Sequence, residues 1–302
     1  MSTTPSKLSL DLDDADPVSS PSHEEVPATT ISKNTWITPE QAAAAMRKGR
    51  GKGVRIAVLD SGVEWNHPAL QGIKIADDLV IEEVEGHLQP KEGNREDLFG
   101  HGTAVASILH EMAPEAEIGS FRVLDFLNQS QSDMICFGAR LAIERDYHIV
   151  NCSFGARLKS QILMFKDWVD RAYLAGVHLV SACNNEDFRK AEWPGDFGTV
   201  ITVNMLATQE RESVFKNAPG TLVEFAALGV EVNVPWKGGI HREATGSSFA
   251  APRVAGLLAR ILSIYPGIAP LQAKCLLQQI ASGLPTRQRL RLPGFASQSP
   301  TA

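Results

Sequence analysis

Short apolar runs, each long enough for one strand and too short for a helix, recur through the chain with helical patterns between them. VRIAVLD (54–60), HIVNCSF (148–154), VHLVSA (177–182) and TVITVNM (199–205) are the strand-like runs. TAVASILHEM (103–112), SDMICFGARLAIERD (132–146), ILMFKDWVDRAYLAG (162–176), SFAAPRVAGLLARILSIY (248–265) and PLQAKCLLQQIASG (270–283) carry helical spacing. Strands joined through helices run parallel and are covered on both faces. The alternation therefore predicts an α/β fold, a mostly parallel central sheet with helices on both faces. ITPEQAAAAMRKG predicts an opening helix with Thr38 as N-cap, Pro39 at its first position and Gln41 closing a capping box.

At 302 residues, 43% hydrophobic and 21% charged, the chain has the composition of an ordinary globular enzyme. A net charge of −6 without a basic run interleaved with aromatics argues against a nucleic-acid partner, and no 18-residue apolar stretch argues for a membrane. Cys136, Cys152, Cys183 and Cys275 are too dispersed for a disulfide framework or a zinc site. Free thiols in a reducing compartment fit better. The start shows neither a secretory nor a mitochondrial import pattern, so the expected location is cytoplasmic. Residues 1–33, rich in Ser, Pro and acidic residues, read as a disordered arm, 34–290 as one domain and 291–302 as a flexible tail.

In such a sheet, ligands gather beyond the carboxyl ends of the strands. Asp60, Ser153, Asn184 and Asn185 all fall there, although each alone is equally a turn residue. TGSSFAAP (245–252) enters a buried helix with two serines at its first turn, where most serines only cap.

Read together and in order, VLDSG, HGTAVA and GSSFAAP resemble the three catalytic blocks of the subtilisin-like serine proteases, whose Asp, His, Ser order differs from other triads. The resemblance runs from about 54 to 283. It implies Asp60, His101 and Ser248 as the triad, with Ser247 in place of the usual threonine. A serine hydroxyl becomes nucleophilic only when a neutral imidazole takes its proton, and the imidazole needs a carboxylate to fix its tautomer. VSACNNED resembles the segment that ends in the oxyanion asparagine, which implies Asn185 in that role beside the backbone N–H of Ser248. Asn184 replaces the usual glycine. Either it adopts the glycine-like backbone or the donor is displaced.

The resemblance further implies that Ser153, Phe154 and Gly155 line the pocket for the side chain before the cut, with substrate bound as an extended strand. Glu192 stands where broad-specificity members carry glycine. At the pocket base it favours Arg or Lys; the plainer alternative is a solvent-facing glutamate. The loop that binds calcium in many members is missing after His101, so no metal and no cofactor are expected. EEVEGHLQPKEGNREDLFG reads as a solvated rim loop, including Asp97. Residues 1–50 are too short and polar for a folded prodomain. The arm either blocks the cleft as an autoinhibitory segment or serves as a tether. Three functions stay open: an endopeptidase, general or dedicated to one precursor peptide; a peptide-binding module with weak catalysis; and an acyl-transferring cyclase.

Overall fold

The computed structural model describes residues 35–217 and 221–284; the arm expected at 1–33 and the tail expected at 291–302 lie outside the described residues. In chain order the elements are α1 (Pro39–Lys48), β1 (Arg55–Asp60), β2 (Lys74–Val84), β3 (His87–Glu92), α2 (His101–Met112), β4 (Glu117–Arg122), α3 (Ser132–Glu144), β5 (Ile149–Cys152) and α4 (Ile162–Leu174). They continue with β6 (His178–Ala182), β7 (Ile201–Leu206), β8 (Phe215–Lys216), β9 (Phe225–Leu228), β10 (Val232–Trp236), β11 (Ile240–Ala244), α5 (Ser247–Ile264) and α6 (Pro270–Ile280).

Nine strands form one sheet in the order β3-β2-β4-β1-β5-β6-β7-β9-β8. Pairing is parallel except at the two edges, where β3 and β8 run antiparallel to their neighbours. The α/β expectation holds. Ile56, Val58, Ile149, Val180 and Val203 point to a core with α1, α2, α5 and α6. Leu59, Val150 and Leu179 point oppositely to a core with α3 and α4, built around Phe165 and Trp168. Burial on both faces is why β1, β5, β6 and β7 read as continuous apolar runs. From β1 the chain goes out to β2 and the edge strand β3, returns to β4 beside β1, then crosses over to β5 on the other side of β1. This puts the reversal of strand order at β1, and in such sheets ligands gather beyond the carboxyl ends of the strands at that point.

The opening helix has the expected capping box. Gln41 N donates to Thr38 Oγ1 at 3.3 Å and Thr38 N to Gln41 Oε1 at 2.8 Å, an arrangement that contributes about 1 kcal/mol.

The insertion before His101 is not simply a solvated loop. Residues 74–92 fold as the hairpin β2–β3, with Leu79 and Ile81 buried and the Glu85–Gly86 turn at positive φ (52° and 80°). Exposed Lys91 and Glu92 lie on the edge strand β3, where charges discourage pairing with another chain.

Candidate active site

Helix α5 is buried all round over most of its length, from Ser247 through Leu262 except Ser248, so the turn that begins it is fixed by the core rather than by a loop. Pro252 lies inside it. Proline has no N–H, so the carbonyl of Ser248, four residues earlier, loses its helical partner. Ser153 Oγ donates to that carbonyl at 3.1 Å instead, and Ser153 Oγ in turn accepts from Asn151 Nδ2 at 2.9 Å. The hydroxyl of Ser248 donates back to Ser153 O at 3.1 Å. Strand β5 and helix α5 are thereby locked together at the half-buried Ser248.

Asp60 ends β1 and is 1% exposed, and His101 begins α2. Nδ1 of His101 lies 2.9 Å from both carboxylate oxygens of Asp60, so Nδ1 carries the proton and Nε2 is left with a lone pair. Burial works against the imidazolium, but the charge and hydrogen bond of Asp60, joined by the charge of Asp97, outweigh it. The His101 pKa is raised above the ordinary histidine value.

Asp97 overturns the solvated-loop expectation. It is 7% exposed, and Oδ1 accepts from Ser61 Oγ (2.7 Å), Phe99 N (3.0 Å) and Gly100 N (2.6 Å). Oδ2 accepts from Thr103 N (2.8 Å) and Thr103 Oγ1 (2.7 Å). One carboxylate thus takes the Thr103 N–H in the first turn of α2 and the N–H groups of Phe99 and Gly100 just before it, while Ser61 Oγ, which donates to it, accepts from Gly102 N at 3.3 Å and ties the helix start to the Asp60 turn. Gly100 sits between them at φ 114°, and a Cβ there would fall 2.3 Å from Trp236 Nε1. Only glycine lets that indole pack edge-on to His101.

The amide of Asn185 has one allowed orientation. The backbone N–H of Ser247 can only donate, so the atom it meets at 2.8 Å is Oδ1, which turns Nδ2 towards Gly246 and the exposed side of the turn. Ser247 Oγ lies 2.7 Å from Cys183 O and 2.8 Å from Asn185 Oδ1, placing its single proton between two acceptors. Asn184, in contrast, does not adopt the left-handed backbone that a glycine there would allow. Its buried Oδ1 takes the N–H groups of Glu186 and Asp187 (2.9 Å each), and Nδ2 donates to Glu192 Oε1 at 2.6 Å.

Glu192 is 7% exposed, which rules out the solvent-facing alternative. Its Oε1 also accepts from Arg157 Nε at 2.6 Å, and its Oε2 approaches Gly155 so closely that a Cβ there would be 2.4 Å away. Ser153, half-buried Phe154 and exposed Gly155 form the facing segment, and Phe154 packs on the α3–α4 core. The structure therefore brings Gly155 to Glu192 and Ser153 to Ser248. Arg157 is a partner of Glu192 that sequence reasoning missed, because nothing in the local sequence ties it to a residue 35 positions away.

Cys183, next to these groups, is buried and has its thiol pushed up to about 12 by burial and by the charge of Glu192, so it packs as a neutral side chain. All four cysteines are unpaired. No group of three or more His, Cys, Asp or Glu residues able to hold a metal occurs among the described residues.

The sequence profile of the subtilase family matches residues 51–295. The chain belongs to the subtilase family. It is 30% identical to the thermostable alkaline protease of Halalkalibacterium halodurans over 78% of this subtilase, and spans 63% of that protein's length. It is 31% identical to the intracellular serine protease of Paenibacillus polymyxa, over 73% of this chain and 70% of the other. Among solved structures, the S41 psychrophilic protease superposes with a TM-score of 0.66 at 25% identity, over 83% of this subtilase and 94% of that chain. Among the described residues no helix is long and apolar enough to cross a membrane.

Proposed function

We propose that this subtilase is a serine endopeptidase, and the observation that carries the reading is the buried Asp60–His101 pair, whose imidazole packs 5.4 Å from the Phe249 ring, next to Ser248 at a rigid helix start. In the resting geometry the Ser248 hydroxyl is engaged with Ser153 O. Reaction requires it to turn to His101 Nε2. Oγ then attacks the peptide carbonyl carbon as its proton passes to Nε2, and the imidazolium so formed is stabilised by Asp60. The developing oxyanion accepts from Asn185 Nδ2 and from the backbone N–H of Ser248. His101 returns the proton to the leaving amine, the C–N bond breaks, and water repeats the sequence on the acyl-enzyme to free the acid.

The substrate is an extended peptide whose residue before the cut enters between Ser153–Gly155 and Glu192. A carboxylate buried there favours Arg or Lys. Such selectivity suits processing of a dedicated precursor better than general degradation. Unpaired thiols and the likeness to an intracellular protease support a cytoplasmic setting. A cleft-blocking role for the arm at 1–33 belongs to the same reading.

A peptide-binding module with weak catalysis is the second reading, favoured by the one observation that Ser248 Oγ donates to Ser153 O. Intact-protein mass after a fluorophosphonate probe separates the two. A single adduct that persists in Ser247→Ala and disappears in Ser248→Ala is expected. A folded wild type that stays unlabelled, with and without residues 1–33, sinks the endopeptidase reading.

A further inference from the structure

The carboxylate at the base of the pocket is buried, but its cationic partner is not. The side chain of Glu192 is 9% exposed and that of Arg157 is 60% exposed. They meet because Ala156 and Trp193 exchange two backbone hydrogen bonds of 2.9 Å as an isolated antiparallel bridge, which sets the flanking Arg157 and Glu192 side by side. Arg157 reaches Glu192 from the solvent side, and Asn184 holds the same oxygen from inside. The other oxygen, Oε2, has no hydrogen-bond partner among the described residues and lies against Gly155, where the substrate side chain is proposed to enter. Asp196 and Glu186 are the remaining charges that act on this pair, from the loops on either side.

We propose that Arg157 is a resident counter-ion that sets selectivity in this pocket, keeping it neutral for uncharged side chains and competing with an incoming Lys or Arg for Glu192. The inference rests on the pocket role proposed for Glu192. A substrate cation at Oε2 meets a carboxylate that Arg157 already compensates, so each cation weakens the other's gain. An uncharged side chain gives Glu192 nothing, and Arg157 then spares the buried carboxylate from standing unpaired. Without Arg157 the pocket gains affinity for basic residues and loses it for neutral ones.

The test compares two fluorescent peptides that differ only in Arg or Leu before the scissile bond. Anisotropy gives their Kd values on the Ser248→Ala protein, and kcat/KM gives the same Arg-over-Leu ratio on the Ser248 enzyme. Arg157→Gln, at an exposed side chain, is expected to raise the ratio by up to about fivefold, the upper end for a solvent-facing ion pair. Arg157→Lys should return it to the wild-type value. Glu192→Gln should lower it, and adding Arg157→Gln to Glu192→Gln should then change nothing. If Glu192→Gln lowers the ratio and Arg157→Gln leaves it where it was, the counter-ion inference falls and the pocket reading stands. If Glu192→Gln has no effect, or neither peptide binds, both fall together.

Discussion

Asp97→Asn removes one charge and barely changes shape, yet the structure leaves the asparagine no satisfactory orientation. All five partners of the carboxylate donate to it, three at Oδ1 and two at Oδ2. The better amide orientation keeps the three and points its NH2 at Thr103 N–H. The Thr103 hydroxyl can turn away, since it already accepts from Glu64 N at 2.9 Å, but the backbone N–H cannot. One buried donor left without an acceptor costs about 1–3 kcal/mol. The three surviving bonds lose charge assistance, which roughly halves each. Together these give a loss of about 3–5 kcal/mol, and at about 2–4 °C per kcal/mol for a domain of this size the thermal midpoint falls by about 6–20 °C. The assay is tryptophan fluorescence at a fixed heating rate in the Ser248→Ala background, where self-digestion cannot contribute. Glu92→Gln, at an exposed residue of β3, is the control and should stay within about 1 °C. A fall under about 2 °C for Asp97→Asn would mean that the carboxylate exchanges its partners for water cheaply, and the account of how α2 is anchored would be wrong.

Further outcomes follow from the site. Ser247→Ala leaves Asn185 Oδ1 with only the backbone N–H of residue 247, so kcat should fall about tenfold with KM little changed; loss of the donor itself in Asn185→Leu should cost about 2.7–4 kcal/mol, the range measured for one such donor in subtilisin. An Asn185 variant that keeps wild-type kcat would remove it from the oxyanion site. His101 must be neutral to act, and its pKa is raised, so kcat/KM should be lost as pH falls through a value above the ordinary histidine 6.5. Asp60→Asn removes the charge that raises it and should move that limb to lower pH while lowering kcat by about 10^4; a limb that does not move would assign the titration to another group. Gly155→Ala would put a Cβ 2.4 Å from Glu192 Oε2, and the flexible carboxylate should yield rather than the backbone. Selectivity for Arg before the cut should collapse at a stability cost of about 1–2 kcal/mol, as read by paired peptide kinetics and thermal unfolding.

The parts of the fold that were legible are those where burial repeats along the chain. Strands buried on both faces, such as β1 and β6, are near-continuous apolar runs, and α2 to α6 show a full helical period. The hairpin β2–β3 was missed because one face is solvated and its turn is Glu-Gly, a weaker signal than Asn-Gly. Strand β4, EIGSFR, hides behind a Gly and a Ser that the core accepts because Tyr147 and Phe121 fill the space beside them. Within the site, the ordered blocks pointed to Asp60 and His101, which the structure pairs, because each block is local. Asp97 was misread because its partners Ser61 and Thr103 lie on either side of it in sequence, 36 and 6 residues away, and an aspartate in a polar stretch looks the same whether it faces water or five donors.

Asn184, Glu192 and Arg157 show why residues judged singly mislead at such a site. Asn184 taken alone raised a question about backbone geometry, and Glu192 taken alone raised one about charge. A carboxylate placed at the pocket base needs donors, because a buried charge without them costs several kcal/mol. The amide of Asn184 supplies one donor from inside, and Arg157 supplies the other from outside. Glycine at 184 would leave Glu192 one donor short. The two departures from the family pattern are therefore coupled in physical terms: Asn184 holds Glu192 Oε1 through Nδ2 and, through Oδ1, the N–H groups of Glu186 and Asp187 that follow Asn185.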